Sequence, residues 1–275
     1  MTKTEFDILT KIKENKQYEA DYMARILYKP LEAIENAYSE LMRQGYILNG
    51  SLTQAGETLL NTHRIDNAII LSAGMSTRFV PLNFEKPKGL LTVKGEPLIE
   101  RQICQLREKG IEEIVIVVGY MKEQFEYLVG KYGVILVETD EYETKNNHAS
   151  IWAARQYLKN TIITSSDLYF DENIFETYAY DSFYCTVYVS GKTAERGIET
   201  DDDDRILTTM YGDKCYDIWV TLGYAFFSSG FSSNMINILD KIYDLPETAN
   251  KFWADIQDDY LNELYMYAKR CDAEI

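Results

Sequence analysis

Four short apolar runs punctuate the middle of the chain: Ala68-Ile69-Ile70-Leu71, Ile114-Val115-Ile116-Val117-Val118, Val134-Ile135-Leu136-Val137 and Thr161-Ile162-Ile163-Thr164. Segments of helical periodicity separate them, such as Leu98 to Lys109 and Ala149 to Leu158. Runs this short and this uniformly apolar read as strands buried on both faces, which is the habit of parallel strands covered by helices. The pattern predicts an α/β sandwich, with any ligand held at the carboxyl ends of the strands.

The first 64 residues have a different texture. Phe6, Leu9 and Ile12 share one helical face, Met23, Ile26 and Leu27 another, and Leu31, Ile34, Tyr38 and Leu41 a third. Pro30 suits the first turn of the third helix and Gly45 its end. Tyr46-Ile47-Leu48, Asn49-Gly50 and Leu52-Thr53 spell a hairpin, and Ala55 to Leu60 a closing helix. Residues 1–64 therefore resemble a winged helix-turn-helix domain, followed by a second domain over residues 66–275. The helix that would enter a DNA groove carries Glu32, Glu35 and Glu40 against Arg43 alone, the wrong sign for phosphates. A contact module, within the chain or joining copies into a homo-oligomer, fits that surface better than a DNA reader.

Net charge supports this. At −16 over 275 residues, the surface repels nucleic acid and anionic lipid. No run approaches the roughly 18 apolar residues of a membrane span, and Met1-Thr2-Lys3-Thr4-Glu5 is polar from the start, so the expectation is a cytoplasmic protein without a signal peptide. Cys104, Cys185, Cys215 and Cys271 lack CxxC spacing, and with only His63 and His148 beside them they read as buried reduced thiols rather than a zinc site. The run Asp201-Asp202-Asp203-Asp204 reads as a solvated turn. An acidic protein that binds an anionic substrate must gather its cations in one place.

That place is Leu71-Ser72-Ala73-Gly74-Met75-Ser76-Thr77-Arg78-Phe79, continuing to Lys86-Pro87-Lys88-Gly89. The stretch leaves a buried strand through small residues. Such a turn lets backbone N–H groups approach phosphate oxygens, and Gly74 has no side chain to block them. Arg78 can fork two oxygens, and Lys88 adds a point charge. The alternative is a strand–helix loop with decorative surface cations.

With Pro87-Lys88, this stretch resembles the signature of nucleotidyltransferases that activate sugars and small phosphorylated alcohols. Gly119-Tyr120-Met121-Lys122-Glu123-Gln124-Phe125-Glu126-Tyr127-Leu128, and Asn146-Asn147 before Ser150-Ile151, look like the bacterial CTP:phosphocholine cytidylyltransferase branch. The resemblance runs from about Asp66 onward and implies a Rossmann-like nucleotidyltransferase fold with a mixed, mostly parallel sheet. It implies transfer of CMP from CTP to phosphocholine, with Leu71, Ala73, Gly74, Met75, Ser76, Gly119, Tyr120 and Gln124 around the nucleotide. Arg78, Lys88 and Asp167 would be catalytic. It also implies Mg²⁺ on Asp167, which follows the strand Thr161–Thr164 where relatives often have two acids and this chain has serine in the earlier place. The alternative for Asp167 is a helix or turn cap. Relatives draw a second metal carboxylate from a late strand, in an acidic segment patterned like Cys271-Asp272-Ala273-Glu274-Ile275. Either that residue lies past Ile275, or Asp255 supplies the charge.

The acceptor pocket is the least legible part. A quaternary ammonium calls for aromatic faces and a carboxylate, each ring contributing about 0.5–2 kcal/mol. Candidates are Trp152, Trp219, Tyr224 and Trp253, with Asn147 and with Glu195 or Asp217 as the anionic partner. The alternative for each ring is core packing. Arg196 stands beside Glu195 where relatives place a tryptophan. 2-Aminoethylphosphonate is the rival acceptor, since a primary ammonium needs carboxylates more than rings, and a sugar 1-phosphate is third. The contrasting class is a DNA-binding regulator whose nucleotidyltransferase-like domain senses a nucleotide.

Overall fold

The computed structural model describes residues 1–15, 18–75, 85–212 and 215–271. Arg78 and Ser76 of the expected phosphate loop, and Asp272 to Ile275, lie outside these residues. The chain divides into two compact units, Met1–Arg64 with Tyr178–Tyr180, and Ile65–Thr177 with Asp181–Ile275.

The smaller unit holds α1 (Lys3–Asn15), α2 (Ala20–Ile26), α3 (Leu31–Arg43), a hairpin of β1 (Ile47–Leu48) and β2 (Ser51–Leu52), and α4 (Gln54–Asn61). Asn49 and Gly50 take φ of 51° and 77°, the doubly left-handed turn that suits a two-residue hairpin. Phe6, Leu9, Ile12, Met23, Ile34, Leu41, Ile47 and Leu60 pack as its core. The outward face of α3 carries exposed Glu32 and Glu35, while Glu40 pairs with Arg43.

The larger unit is an α/β sandwich. It comprises β3 (Asn67–Ser72), β4 (Thr92–Val93), β5 (Glu96–Pro97), α5 (Leu98–Glu108), β6 (Glu113–Val118), α6 (Tyr127–Tyr132), β7 (Ile135–Glu138), α7 (His148–Ala153), β8 (Thr161–Ser165), β9 (Phe183–Lys192), β10 (Gly197–Thr200), β11 (Ile206–Met210), β12 (Tyr216–Phe227), α8 (Ser229–Ile242), α9 (Trp253–Asp259) and β13 (Tyr267–Arg270). The main sheet runs β11-β10-β12-β8-β3-β6-β7, with β9 on β12 and β13 on β9. β8, β3, β6 and β7 are mutually parallel, whereas β12 is antiparallel to both β8 and β9, so the sheet is mixed.

Chain order explains where a ligand belongs. From β3 the chain steps to β6 and β7 on one side, then crosses to β8 on the other. The carboxyl ends of β3 and β8 therefore face a topological switch point, where the connections diverge and leave a crevice. The helical stretch expected from Ala149 to Leu158 is shorter: α7 ends at Ala153 and a 3₁₀ turn covers Arg155–Tyr157. Among the cysteines, Cys104 is exposed rather than buried, and Cys185 Sγ lies 2.8 Å from Cys271 Sγ along the β9–β13 edge. No helix among the described residues is long and apolar enough to cross a membrane.

Candidate active site

A cavity of about 280 Å³ opens at the switch point. Its floor is the end of β3, Leu71 to Gly74, beside the end of β8, Ser165 to Asp167. Pro87 and Lys88 close one flank; Thr139, Tyr142, Lys145, Asn146, Asn147, Ala149 and Ser150 form another; Phe252 enters from the start of α9.

The path of the chain past β3 is fixed from both sides. Tyr120 N–H donates to Ala73 O at 3.0 Å, and Ser166 N–H to Leu71 O at 3.1 Å. Gly119 permits the first contact, because a Cβ there would stand 2.5 Å from Tyr142 and 3.0 Å from Ala73 O. Gly74, in contrast, is exposed, and no described atom lies within 4 Å of where its Cβ would stand. The backbone is pinned up to Ala73 and open at Gly74, as a phosphate approach requires.

Lys88 sits in a 3₁₀ turn (Lys88–Leu90) led by Pro87. Its Nζ lies 2.9 Å from Asp167 Oδ2, so a pair separated by 79 residues meets inside the cavity. Gly89 allows that turn to press on the β8 end, where a Cβ would fall 2.7 Å from Ser166 Cβ and 2.8 Å from Ser166 Oγ. The turn carrying Asp167 has a second support absent from the sequence reading. Buried Gln102 of α5 donates Nε2 to Ser165 O and Leu168 O, both at 2.9 Å, and its Oε1 accepts from Thr164 Oγ1 at 3.1 Å. A glutamine on the apolar face of α5, between Ile99 and Ile103, is the signal that could have found it.

The family model described as a MobA-like NTP transferase domain matches residues 68–181. Choline-phosphate cytidylyltransferase of Streptococcus pneumoniae is 36% identical over 205 residues, spanning 74% of this chain and 89% of that protein. 2-Aminoethylphosphonate cytidylyltransferase of Lancefieldella rimae is 37% identical over 202 residues, spanning 72% and 81%. The solved structure of CTP:phosphocholine cytidylyltransferase from Streptococcus pneumoniae superposes with a TM-score of 0.73 at 34% identity, covering 77% of this chain and 91% of that one. The chain belongs to this cytidylyltransferase family. It is a nucleotidyltransferase by fold and by relatives.

Of the residues expected around the nucleotide in this cytidylyltransferase, Leu71, Ala73 and Gly74 line the cavity. Met75 is half-buried just past it. Gly119 and Tyr120 act one layer back by fixing Ala73, and Gln124 donates to Glu85 O at 3.1 Å. Lys88, Asp167 and Asn147 also line the cavity.

The expected aromatic cage is not assembled there. Tyr224 is fully buried and ringed edge-on by Phe170, Phe175 and Phe183, so it has no face to offer. Trp253 is 3% exposed, stacked on Tyr184 with centroids 5.0 Å apart and edged by Phe227. Trp152 stacks on Tyr243 under Arg155, and Trp219 lies against Tyr188 and Arg270; neither lines the cavity. Glu195 is exposed and outside it, and Asp217 caps a turn through Gly191 N–H at 2.7 Å. The rings that do line the cavity, among the described residues, are Tyr142 and Phe252. Arg196, in the tryptophan's place, is buried and grips α9 through Ala254 O at 2.9 Å and Asp258 Oδ1 at 2.5 Å.

Asp255 likewise serves α9, its Oδ2 accepting from Phe252 N–H at 2.7 Å, and it does not line the cavity. Among the described residues no group of three or more His, Cys, Asp or Glu converges. One carboxylate in a phosphate-sized cavity still fits Mg²⁺, which habitually takes one or two carboxylates and leaves its other positions to phosphate and water. Among the described residues, Asp167 is the carboxylate that lines the cavity.

A cation missed in sequence, Lys145, lines the same cavity as Lys88. Lys145 Nζ sits 2.7 Å from Glu141 Oε1 and 3.4 Å above the Tyr243 ring, whose hydroxyl also donates to Glu141. Burial of Glu141 works against its charge, but the bonds from Lys145 and Tyr243 outweigh it and hold the carboxyl below its ordinary range. Next along the chain, His148 is fully buried, and burial pushes its pKa below the usual 6.5.

Proposed function

We propose that this protein transfers CMP from CTP to phosphocholine, giving CDP-choline and pyrophosphate. What carries the reading is the Lys88–Asp167 pair at the mouth of an open phosphate turn, in a chain whose relatives are named for cytidylyl transfer. An oxygen of the acceptor phosphate attacks the α-phosphorus in line. The new P–O bond forms as the bond to the bridging oxygen breaks, and pyrophosphate leaves with that electron pair. No protein base is needed, because a phosphate monoester with a second pKa near about 6 is already largely a dianion. The residues position and neutralise. Ala73 and Gly74 present backbone to the triphosphate, together with Arg78. Lys88 stands between the α-phosphate and the acceptor phosphate, and Phe252 and Tyr142 offer ring faces to the acceptor's ammonium. Asp167 would hold Mg²⁺, which supplies neutralisation of phosphate charge when bound. With CTP as its substrate, we read the protein as cytoplasmic.

A second acceptor has its own support. Among the described residues the cavity is lined by two rings rather than the four candidates, which weakens the case for a quaternary ammonium, and a relative of 37% identity is named for 2-aminoethylphosphonate. Pyrophosphate release with Mg²⁺ decides between them, crossing CTP, UTP, GTP and dTTP with phosphocholine, 2-aminoethylphosphonate and glucose 1-phosphate. Turnover with CTP and one amine acceptor is the expected result; release with UTP or dTTP and glucose 1-phosphate would refute both. The N-terminal unit we read as a winged-helix contact module, on the strength of its element order and the acids on α3.

A further inference from the structure

The segment that brings Phe252 to the cavity, residues 249–253, contains no strand and only the first residue of α9. Four hydrogen bonds join it to one tripeptide. Asn146 N–H donates to Ala249 O at 2.8 Å, and Asn146 Nδ2 to Asn250 O at 3.1 Å. Trp253 N–H donates to Asn147 Oδ1 at 2.8 Å, and His148 Nδ1 lies 2.7 Å from Lys251 O. A carbonyl oxygen only accepts, so Nδ1 must carry the proton. His148 Nε2 is buried with no hydrogen-bond partner among the described residues, which leaves it a bare lone pair and fixes one neutral tautomer.

We infer that Asn146, Asn147 and His148 form a clamp that sets where Phe252 meets the acceptor, with His148 as a positioning residue rather than a catalytic one. Asn147, which lines the cavity, gives its side-chain oxygen to the Trp253 amide and so shapes the wall from behind. His148 never reaches the cavity but bonds the carbonyl immediately before Phe252. The nucleotide floor, built on strand ends held by Tyr120 and Ser166, does not depend on this clamp. Loosening the clamp should therefore move the acceptor wall and leave CTP binding in place. The inference rests on the reading that Phe252 faces the acceptor.

Two measurements on the full chain test it. Hydrogen exchange on the free protein reads the clamp without any substrate: in His148→Leu the Trp253 and Asn146 amides should exchange at least ten-fold faster, with β3 amides unchanged. His148→Asn keeps a donor near the Nδ1 position and should restore protection. Unchanged exchange at 249–253 in His148→Leu overturns the clamp. Steady-state kinetics then read its role. His148→Leu should raise the acceptor KM about ten-fold with the CTP KM within two-fold, and Phe252→Ala should do the same. The double variant should be no worse than the worse single one, because both act at one wall. Multiplying effects, or equal rises in both KM values, would overturn the positioning role. Should His148→Leu fail to fold, Asn147→Ala carries the same comparison. A segment loosened in His148→Leu, beside a wild-type chain that turns over no acceptor, would sink the functional reading while supporting the clamp.

Discussion

Two glycines fifteen residues apart should respond in opposite ways to the same added methyl. At Gly89 a Cβ would lie 2.7 Å from Ser166 Cβ, where carbon atoms prefer about 3.5–4.0 Å. Ser166 is buried and its amide is held by Leu71 O, so the Lys88–Leu90 turn must yield by roughly 1 Å. Overpacking of this kind costs about 1–3 kcal/mol. For a unit of about 200 residues that lowers Tm by roughly 2–12 °C. The same shift carries Lys88 away from Asp167, and a misplacement near 1 Å is worth up to about 100-fold in rate. Gly74→Ala meets no described atom within 4 Å and has no left-handed φ to strain, so its stability should change by less than about 1 kcal/mol. Its methyl instead occupies the approach of the triphosphate, raising the CTP KM. Calorimetry with pyrophosphate release reads both variants. Full turnover and an unshifted Tm in Gly89→Ala, or equal destabilisation of the two, would refute this account.

Lys88→Ala and Asp167→Ala should each lose most turnover, while an ion pair this exposed shifts stability by less than about 1 kcal/mol; near-normal turnover in either removes it from the mechanism. Gln102→Leu strands Leu168 O and Thr164 Oγ1 and leaves Ser165 O with the Leu168 amide alone, so it should destabilise by about 2 kcal/mol and lower kcat through the Asp167 turn, read by denaturant melts beside kinetics. Burial holds the folded pKa of His148 below its unfolded 6.5 against the bond to Lys251 O, with Lys145 opposing a proton and Glu141 favouring one, so the unfolded chain binds the proton first as pH falls. Stability should therefore drop below about pH 6.5, and His148→Asn should flatten Tm across that window. Duplex DNA at low salt should not shift in a gel with the full chain, given the acids on α3; salt-sensitive binding would reopen the regulator reading.

The strand core was legible because its residues obey one rule. β3, β6 and β8 are buried on both faces, so composition alone marks them. β9 alternates half-buried and exposed residues from Val187 on, and its partner β12 carries bulged register, so neither announces itself as an apolar run. That Gly74 and Lys88 share a cavity was legible for a similar reason, since both belong to one local stretch of sequence. Gln102 and Lys145 act across 60 or more residues or through an aromatic face, and nothing local in the sequence states the partner. The position of the rings was not legible, because Trp253 and Phe252 are adjacent: a helix start turns Trp253 into the core and Phe252 to the cavity.

That division bears on what similarity can decide. The choline-phosphate and the 2-aminoethylphosphonate relatives stand at 36% and 37% identity to this chain, so overall likeness does not choose between their acceptors. The floor of the cavity is backbone on parallel strand ends, locked by register, and has little freedom to vary its chemistry. The opposite wall hangs on loops: Lys145 tethered by Glu141 and Tyr243, and Phe252 tethered by Asn146 to His148. A single substitution there moves a charge or a ring without disturbing the strands. On the proposed reading, in which this wall meets the acceptor, exchanging Lys145 or Phe252 should alter acceptor preference well before it alters preference for CTP.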